Sequence, residues 1–231
     1  MYTVTEQIIF LRKVGKLLYH PNLLEKLLML NFIALDFETA NHQRGSVCEM
    51  GIAVVENGII TETRSWRIRP TPNWFHPGNI RIHGITAADV VDQPEFDIVW
   101  QEAKPYFEHS NVVAHNASFD LSCLRHVLTQ YELAFPTLSY ACSLQVARRA
   151  WLGFQAYGLG ALSQRFGISL NHHAAESDAI ACAHILIKAC QEHAVCDFPS
   201  IGSNFGLRMG KLYHGGYEAA GKLMKNKRYE I

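Results

Sequence analysis

Phe32-Ile33-Ala34-Leu35-Asp36-Phe37-Glu38-Thr39 is a short apolar run that ends in two acids two positions apart. Side chains alternate along a strand, so Asp36 and Glu38 are expected on one side of a sheet and Phe37 on the other. Carboxylates that close repel unless one is protonated or a cation lies between them. A solvated strand end is the ordinary alternative, and a D-x-E pair alone is a common match.

Working outward, Val47–Glu56 and residues 59–69 read as strands separated by Asn57-Gly58, a strong hairpin signal. Pro70, Pro72 and Pro77 then mark a loop. A helix over Phe96–Phe107, a strand over Asn111–Ala114, a helix over 118–131 and a strand over Leu138–Cys142 follow. Three more helical stretches come next, the last over 176–193. A hairpin followed by alternating strands and helices predicts an α/β layer fold with a mixed sheet over residues 31–195. Residues 1–30 read as an amphipathic helical extension, with Ile8, Leu11, Leu18, Leu23, Leu24, Leu27 and Leu28 at helical spacings. Met29 is a second candidate start. Residues 196–231 hold six glycines and six basic against three acidic residues. This basic Gly/Lys-rich tail is expected to be mobile and solvated, with a nucleic-acid backbone contact as the alternative.

The 231 residues carry 21 basic and 21 acidic side chains and are 48% hydrophobic, which describes a folded chain with a sizeable core. Zero net charge excludes a general basic surface for long phosphate tracts. The six cysteines form no C-x-x-C pair, which leaves buried free thiols as the expectation. Arg12, Lys13, Lys16, Pro21, Asn22, Glu25 and Lys26 interrupt the N-terminal apolar stretch. No membrane span is expected, nor a secretory signal, because a basic n-region is missing. The expected location is cytoplasmic.

Two further segments carry chemistry. In His115-Asn116-Ala117-Ser118-Phe119-Asp120, Ser118 is a candidate N-cap that places Asp120 in a first helical turn. The helix dipole favours an acid there, which is also its ordinary explanation. In His173-Ala174-Ala175-Glu176-Ser177-Asp178, the two end residues converge only if His173 precedes the last helix, since five residues turn about 140°. His172 reads as a surface residue.

In this order the three segments resemble the motifs of the DnaQ-like (DEDDh) 3′-to-5′ exonucleases, a family that includes the DNA polymerase III epsilon proofreading subunit and ribonuclease T. Ile82-His83-Gly84-Ile85-Thr86 and Leu144-Gln145-Val146-Ala147-Arg148-Arg149 extend the match over about residues 31–195. Ala174 departs from it, standing where the family often has a basic residue.

The resemblance implies a ribonuclease H-like α/β fold, a mixed five-stranded sheet flanked by helices. It implies that Asp36, Glu38, Asp120 and Asp178 hold two divalent cations, Mg²⁺ or Mn²⁺, with Asp36 bridging and His173 as general base. The reaction implied is hydrolysis at the 3′ end of single-stranded DNA, releasing nucleoside 5′-monophosphates. Short RNA is the alternative substrate, and a non-catalytic nucleic-acid- or polymerase-binding module the alternative class. Phe37, Thr39, His83, Asn116 and Phe119 are the implied substrate contacts, although His83 also suits a structural role and Phe119 a core one. Expected partners are a nucleic-acid 3′ end, a DNA polymerase or another replication or repair factor, and a second copy through the apolar N-terminal segment.

Overall fold

The computed structural model describes residues 30–223, so the expected N-terminal helices and the cations Lys225, Lys227 and Arg228 lie outside the described residues. Strands β1 (Phe32–Thr39), β2 (Val47–Glu56) and β3 (Ile59–Arg67) form an antiparallel ribbon. Asn57 and Gly58 join β2 to β3 with φ of 55° and 73°, the pair of left-handed residues that a two-residue type I′ hairpin requires. On the other side of β1, β4 (Asn111–Ala114) pairs parallel, and β5 (Leu138–Cys142) pairs parallel with β4.

The period of two along β1 sorts its side chains into two layers. Ile33, Leu35 and Phe37 pack with helices α2 (Phe96–Phe107) and α3 (Asp120–Gln130). Phe32 and Ala34 pack with α4 (Ser143–Ala150), α5 (Leu159–Phe166) and α6 (Ala175–Glu192). Asp36 and Glu38 continue the second set, so both point to the α6 side. Helix α6 lies close to the sheet because its buried face is mostly small: Ala175, Ala179, Ala183, Ala189, Cys182 and Cys190. Opposite them stands Gly51, where any Cβ would overlap the backbone of Ala175 and Glu176.

Two expectations are corrected. The prolines before residue 78 do not mark only a loop: helix α1 (Pro77–His83) starts there, with Pro77 at a first-turn position that needs no N–H. His76 Nδ1 accepts from the Gly78 N–H at 3.0 Å, and Gly84 ends the helix at φ 77°. Nor is the C-terminal segment a mobile tail as far as residue 223. Helix α7 (Ser200–Phe205) buries Ile201 and Phe205, and β7 (Gly210–Tyr213) and β8 (Gly216–Glu218) extend the sheet beyond β5. The sheet therefore has seven strands, not five, in the order β3-β2-β1-β4-β5-β7-β8. The short β6 (Leu207–Arg208) and β9 (Gly221–Lys222) pair separately. Strands of two to four residues carry too few alternating positions to show a period.

Five of the six cysteines are buried, none is paired, and burial pushes the thiols of Cys48, Cys123, Cys182 and Cys190 well up, leaving them inert. Among the described residues, no helix is long and apolar enough to cross a membrane.

Gly210 faces the Tyr140 ring across the β5–β7 pair, and a Cβ there would overlap the ring. Gly210→Ala is expected to lower unfolding free energy by about 1–3 kcal/mol in urea titration; a segment detached from the sheet would show no change.

Candidate active site

Asp36, Glu38, Asp120 and Asp178 meet at the C-terminal end of β1, whereas Glu176 of the third motif accepts from Thr63 Oγ1 on β3. Asp36 and Glu38 come from the strand itself, where the ladder with β2 shifts register between Glu38 and Thr39 and bends the strand end. Asp178 comes from the first turn of α6, and Asp120 from the first residue of α3 in the opposite layer. Carboxylate oxygens of Asp36, Glu38 and Asp178 lie within 4.8 Å of one another. Asp120 is 2% exposed, and its Oδ1 accepts the Phe37 N–H at 3.1 Å, tying α3 to β1. It stands beside the other three without joining that closest set.

His173 precedes α6, as convergence with Asp178 demands, and takes a left-handed backbone at φ 69°. That turn directs its N–H to Asp178 Oδ2 at 3.1 Å and brings Nδ1 to 3.7 Å from Glu38 Oε1. Its neighbour is not a bystander. His172 is exposed, as the surface reading expects, yet it stacks on the His173 ring at 3.9 Å and sets Nδ1 at 3.0 and 3.1 Å from the two Asp178 oxygens, so it belongs to the site as well. The doubled histidine was the available signal.

The cleft around these groups has a volume of about 390 Å³, and Phe37, Thr39, His83 and Phe119 all line it, with Asn79, Ile82, His115, Leu159 and His172. The Phe37 ring is buried in the α2–α3 layer, so only its backbone can meet a ligand. Thr39 is fixed through its carbonyl, which accepts from Asn79 Nδ2 at 2.8 Å and faces His83 Nε2 at 3.2 Å. His83 Nδ1 accepts from the Ile85 N–H at 3.0 Å, which leaves the proton on Nε2 and makes His83 a clamp in the cleft wall. Arg44 covers one face of Phe119 at 4.2 Å. Asn116, at φ 74°, is not in the lining and accepts from Ser118 Oγ through its side chain. Ser118 is therefore engaged and does not cap α3, which begins after Phe119 without a side-chain cap.

One buried acid in the site was not singled out. Glu49, paired with Glu38 across the ladder and 5% exposed, accepts from the Ala175 N–H at 3.2 Å and from Ser65 Oγ at 3.2 Å, and pairs with Arg67 at 3.3 Å. It anchors the start of α6, and hence His173 and Asp178, to the sheet. Its signal was an acid inside the apolar run Val47-Cys48-Glu49-Met50.

Proton affinities follow from this crowding. Burial, then Asp120 and Asp178, raise the pKa of Asp36 well above the carboxylate range. Burial and then Asp178 raise Glu38 to about 8. Burial raises Asp120 to about 7 against the pull of the Phe37 N–H and Arg44. Desolvation, then His172, lowers His173, and burial lowers His115 to about 4, so both rings are neutral at pH 7. Three hard oxygen donors with an unsatisfied demand for positive charge fit a divalent cation such as Mg²⁺ or Mn²⁺.

The domain has known relatives. The RNase T family model, described as exonuclease, matches residues 33–186. The chain belongs to that family, the DnaQ-like 3′-to-5′ exonucleases. It is 31% identical over 168 residues to DNA polymerase III subunit epsilon of Aquifex aeolicus, covering 70% of this chain and 81% of that one. It is 28% identical to the 3′-5′ exonuclease DinG of Bacillus subtilis over 74% of this chain but 19% of DinG, so it spans only a part of that longer relative. Among solved structures, exonuclease X in complex with 5′ overhanging duplex DNA superposes with a TM-score of 0.60 at 28% identity, over 77% of this chain and all of that one. A 3′-exonuclease that recognises the histone mRNA stem-loop shares the fold, with a TM-score of 0.62 at 14% identity over 85% of this chain and 71% of that one.

Glu49→Ala is expected to cost about 2 kcal/mol of stability, because it strips the Ala175 N–H and Arg67 of a charged partner. Glu49→Gln, which still offers an oxygen to Ala175, should lose less in the same urea titration.

A second expectation concerns pH. Without cations, folded Glu38 and Asp120 keep protons, up to about pH 8 and 7, that the unfolded chain has released near pH 4 to 5. The folded state then binds more protons, and this contribution to stability falls as pH rises through that window. Mg²⁺ favours the ionised carboxylates, so the gain in urea midpoint from chelator to Mg²⁺ is expected to be larger at pH 8 than at pH 5. The contribution of buried His115 is common to both conditions and cancels in the difference.

Proposed function

We propose that the chain is a cytoplasmic DEDDh-type 3′-to-5′ exonuclease that removes nucleoside 5′-monophosphates from the 3′ end of single-stranded DNA. The observation that carries this reading is the convergence of Asp36, Glu38 and Asp178 oxygens within 4.8 Å, with His173 against Glu38, inside an exonuclease-family domain. DNA is favoured over RNA because the relatives at 28–31% identity with a nucleic-acid term in their names, epsilon, the PolC-type DNA polymerases and the exonuclease X complex, carry DNA there. The epsilon likeness also supports a DNA polymerase as partner. A non-catalytic binding module is disfavoured, since all five motif residues are present.

Asp36, Glu38, Asp120 and Asp178 would hold two divalent cations, which would supply positive charge to the attacking and leaving oxygens of an in-line displacement at phosphorus. His173 is the general base: neutral at pH 7 and 38% exposed at its side chain, it can accept a proton from water at a ring nitrogen while its N–H stays on Asp178. His172 holds that ring by stacking. Thr39 and the Phe37 backbone border the terminal nucleotide, and the Asn79 and His83 clamps fix Thr39.

His173→Ala is expected to keep Mg²⁺ binding by calorimetry and to lose about 100-fold or more in turnover, the range of a lost general base. Asp36→Ala with Glu38→Ala should abolish both. Near-normal turnover in His173→Ala would overturn its role, and undiminished activity in the double variant would assign the activity to a contaminant. Matched DNA and RNA oligonucleotides, assayed with Mg²⁺ and with Mn²⁺, decide the substrate; faster release from RNA would reverse the preference stated here.

A further inference from the structure

Outside the cleft lining, beside the wall that α1 forms, stands a cluster for which the reaction has no use. Trp74, 49% exposed, stands in the loop before α1 between His42 and His76, each with its ring centroid 6.3 Å from the indole. The rings meet at 79° and 74°, so the two imidazoles brace the indole edge to face. The loop beneath is fixed to the cleft wall. The Trp74 carbonyl accepts from Asn41 Nδ2 at 3.0 Å, and Asn79, which lines the cleft, donates to Thr39 O at 2.8 Å. Phe75 is buried with its ring 6.4 Å from His83. Next to it Ile82, 55% exposed, lines the cleft, and Arg81 is exposed and in no ion pair among the described residues.

We infer that Trp74, braced by His42 and His76, is a stacking platform for the bases that precede the terminal nucleotide of a single strand, with Arg81 beside it for the backbone phosphates. The inference rests on the exonuclease reading and adds to it the path of the strand. A strand whose 3′ end sits against Asp36 and Thr39 has four walls to cross, of which the one formed by His115 and Leu159 offers only a ring fixed by Ser143 Oγ and the Tyr157 carbonyl and a buried aliphatic. The wall of Asp178, His172 and His173 is filled by the reacting groups, and its carboxylate repels phosphate. On the α3 side Arg44 already covers one face of Phe119. The α1 side alone offers an exposed aromatic, an exposed aliphatic and an unpaired cation together. Every base has a face to stack, so such a platform grips without reading sequence.

The test is fluorescence anisotropy in chelator, so that the probe is not consumed, with the full chain and a labelled oligothymidylate of about twelve nucleotides. Trp74→Ala is expected to weaken binding about tenfold, Trp74→Phe to retain most of it, and a probe made abasic upstream of its last nucleotide to show no further loss in Trp74→Ala. Unchanged binding in Trp74→Ala, an equal loss on the abasic probe, or no binding by the unsubstituted protein would overturn the platform. Failure of the exonuclease reading is seen separately, as an intact oligonucleotide after incubation of the unsubstituted protein with Mg²⁺.

Discussion

Repulsion among carboxylates at the end of β1 is the constraint that the rest of the molecule is arranged around. Two unit charges 4 Å apart interact by about 4 kcal/mol at the effective dielectric of a protein surface. A domain of this kind is stable by only about 5–15 kcal/mol, so several such pairs cannot all stay ionised unopposed. The structure treats the five acids differently. Glu49 is neutralised by Arg67 and by the start of α6, and Asp120 is partly satisfied by the Phe37 N–H. Asp36, Glu38 and Asp120 nevertheless keep raised proton affinities. Frustration thus remains at the end of β1, while Glu49, which anchors the helix, has Arg67 and the Ala175 N–H beside it.

Packing makes that arrangement attainable. A helix start can reach the strand-end acids only if its backbone comes down onto β2, and Gly51 opposite Asp36 is the position that permits it. The small residues on the buried face of α6 extend the close approach along its length. His173 then turns through a left-handed backbone, which costs of order 1 kcal/mol for a residue with a side chain. Its hydrogen bond to Asp178 and the stack with His172 hold it there. Strain, close packing and electrostatic frustration occupy the same few residues, and the sheet on either side is regular enough to support them.

The central fold was legible because its signals are local. Asn57-Gly58 specifies a hairpin by its own φ values, and the helices over 96–107 and 176–193 were placed to within a residue of α2 and α6. The motif order brought Asp36, Glu38, Asp120, His173 and Asp178 to one place before any distance was known. What was missed depends on contacts between distant segments. Gly210 looks like a tail glycine until Tyr140 is seen beside it, and Glu49 looks like an unplaced acid until Ala175 arrives over it. His172 lies at the surface, but its contact with Asp178, six residues away across the turn that His173 makes, is not visible in the sequence. Ser118 was chosen as a cap on type alone, but its hydroxyl has a nearer partner in Asn116.

The neutral overall charge acquires a local meaning from this geometry. Equal numbers of acids and bases would leave a uniform surface indifferent to phosphate. Here a cluster of acids is withdrawn into one cleft, with the exposed guanidinium of Arg44 acting on Asp120 from beside Phe119, while Arg81, exposed on α1, is in no ion pair among the described residues. Cations bound in the cleft would turn its repulsion of phosphate into attraction, so the field reverses sign only at the point where a phosphodiester must be held. A basic surface spread over the whole domain would bind nucleic acid anywhere along its length and compete with the end. On the exonuclease reading proposed above, attraction confined to a cleft of about 390 Å³ would favour a strand terminus over an internal segment.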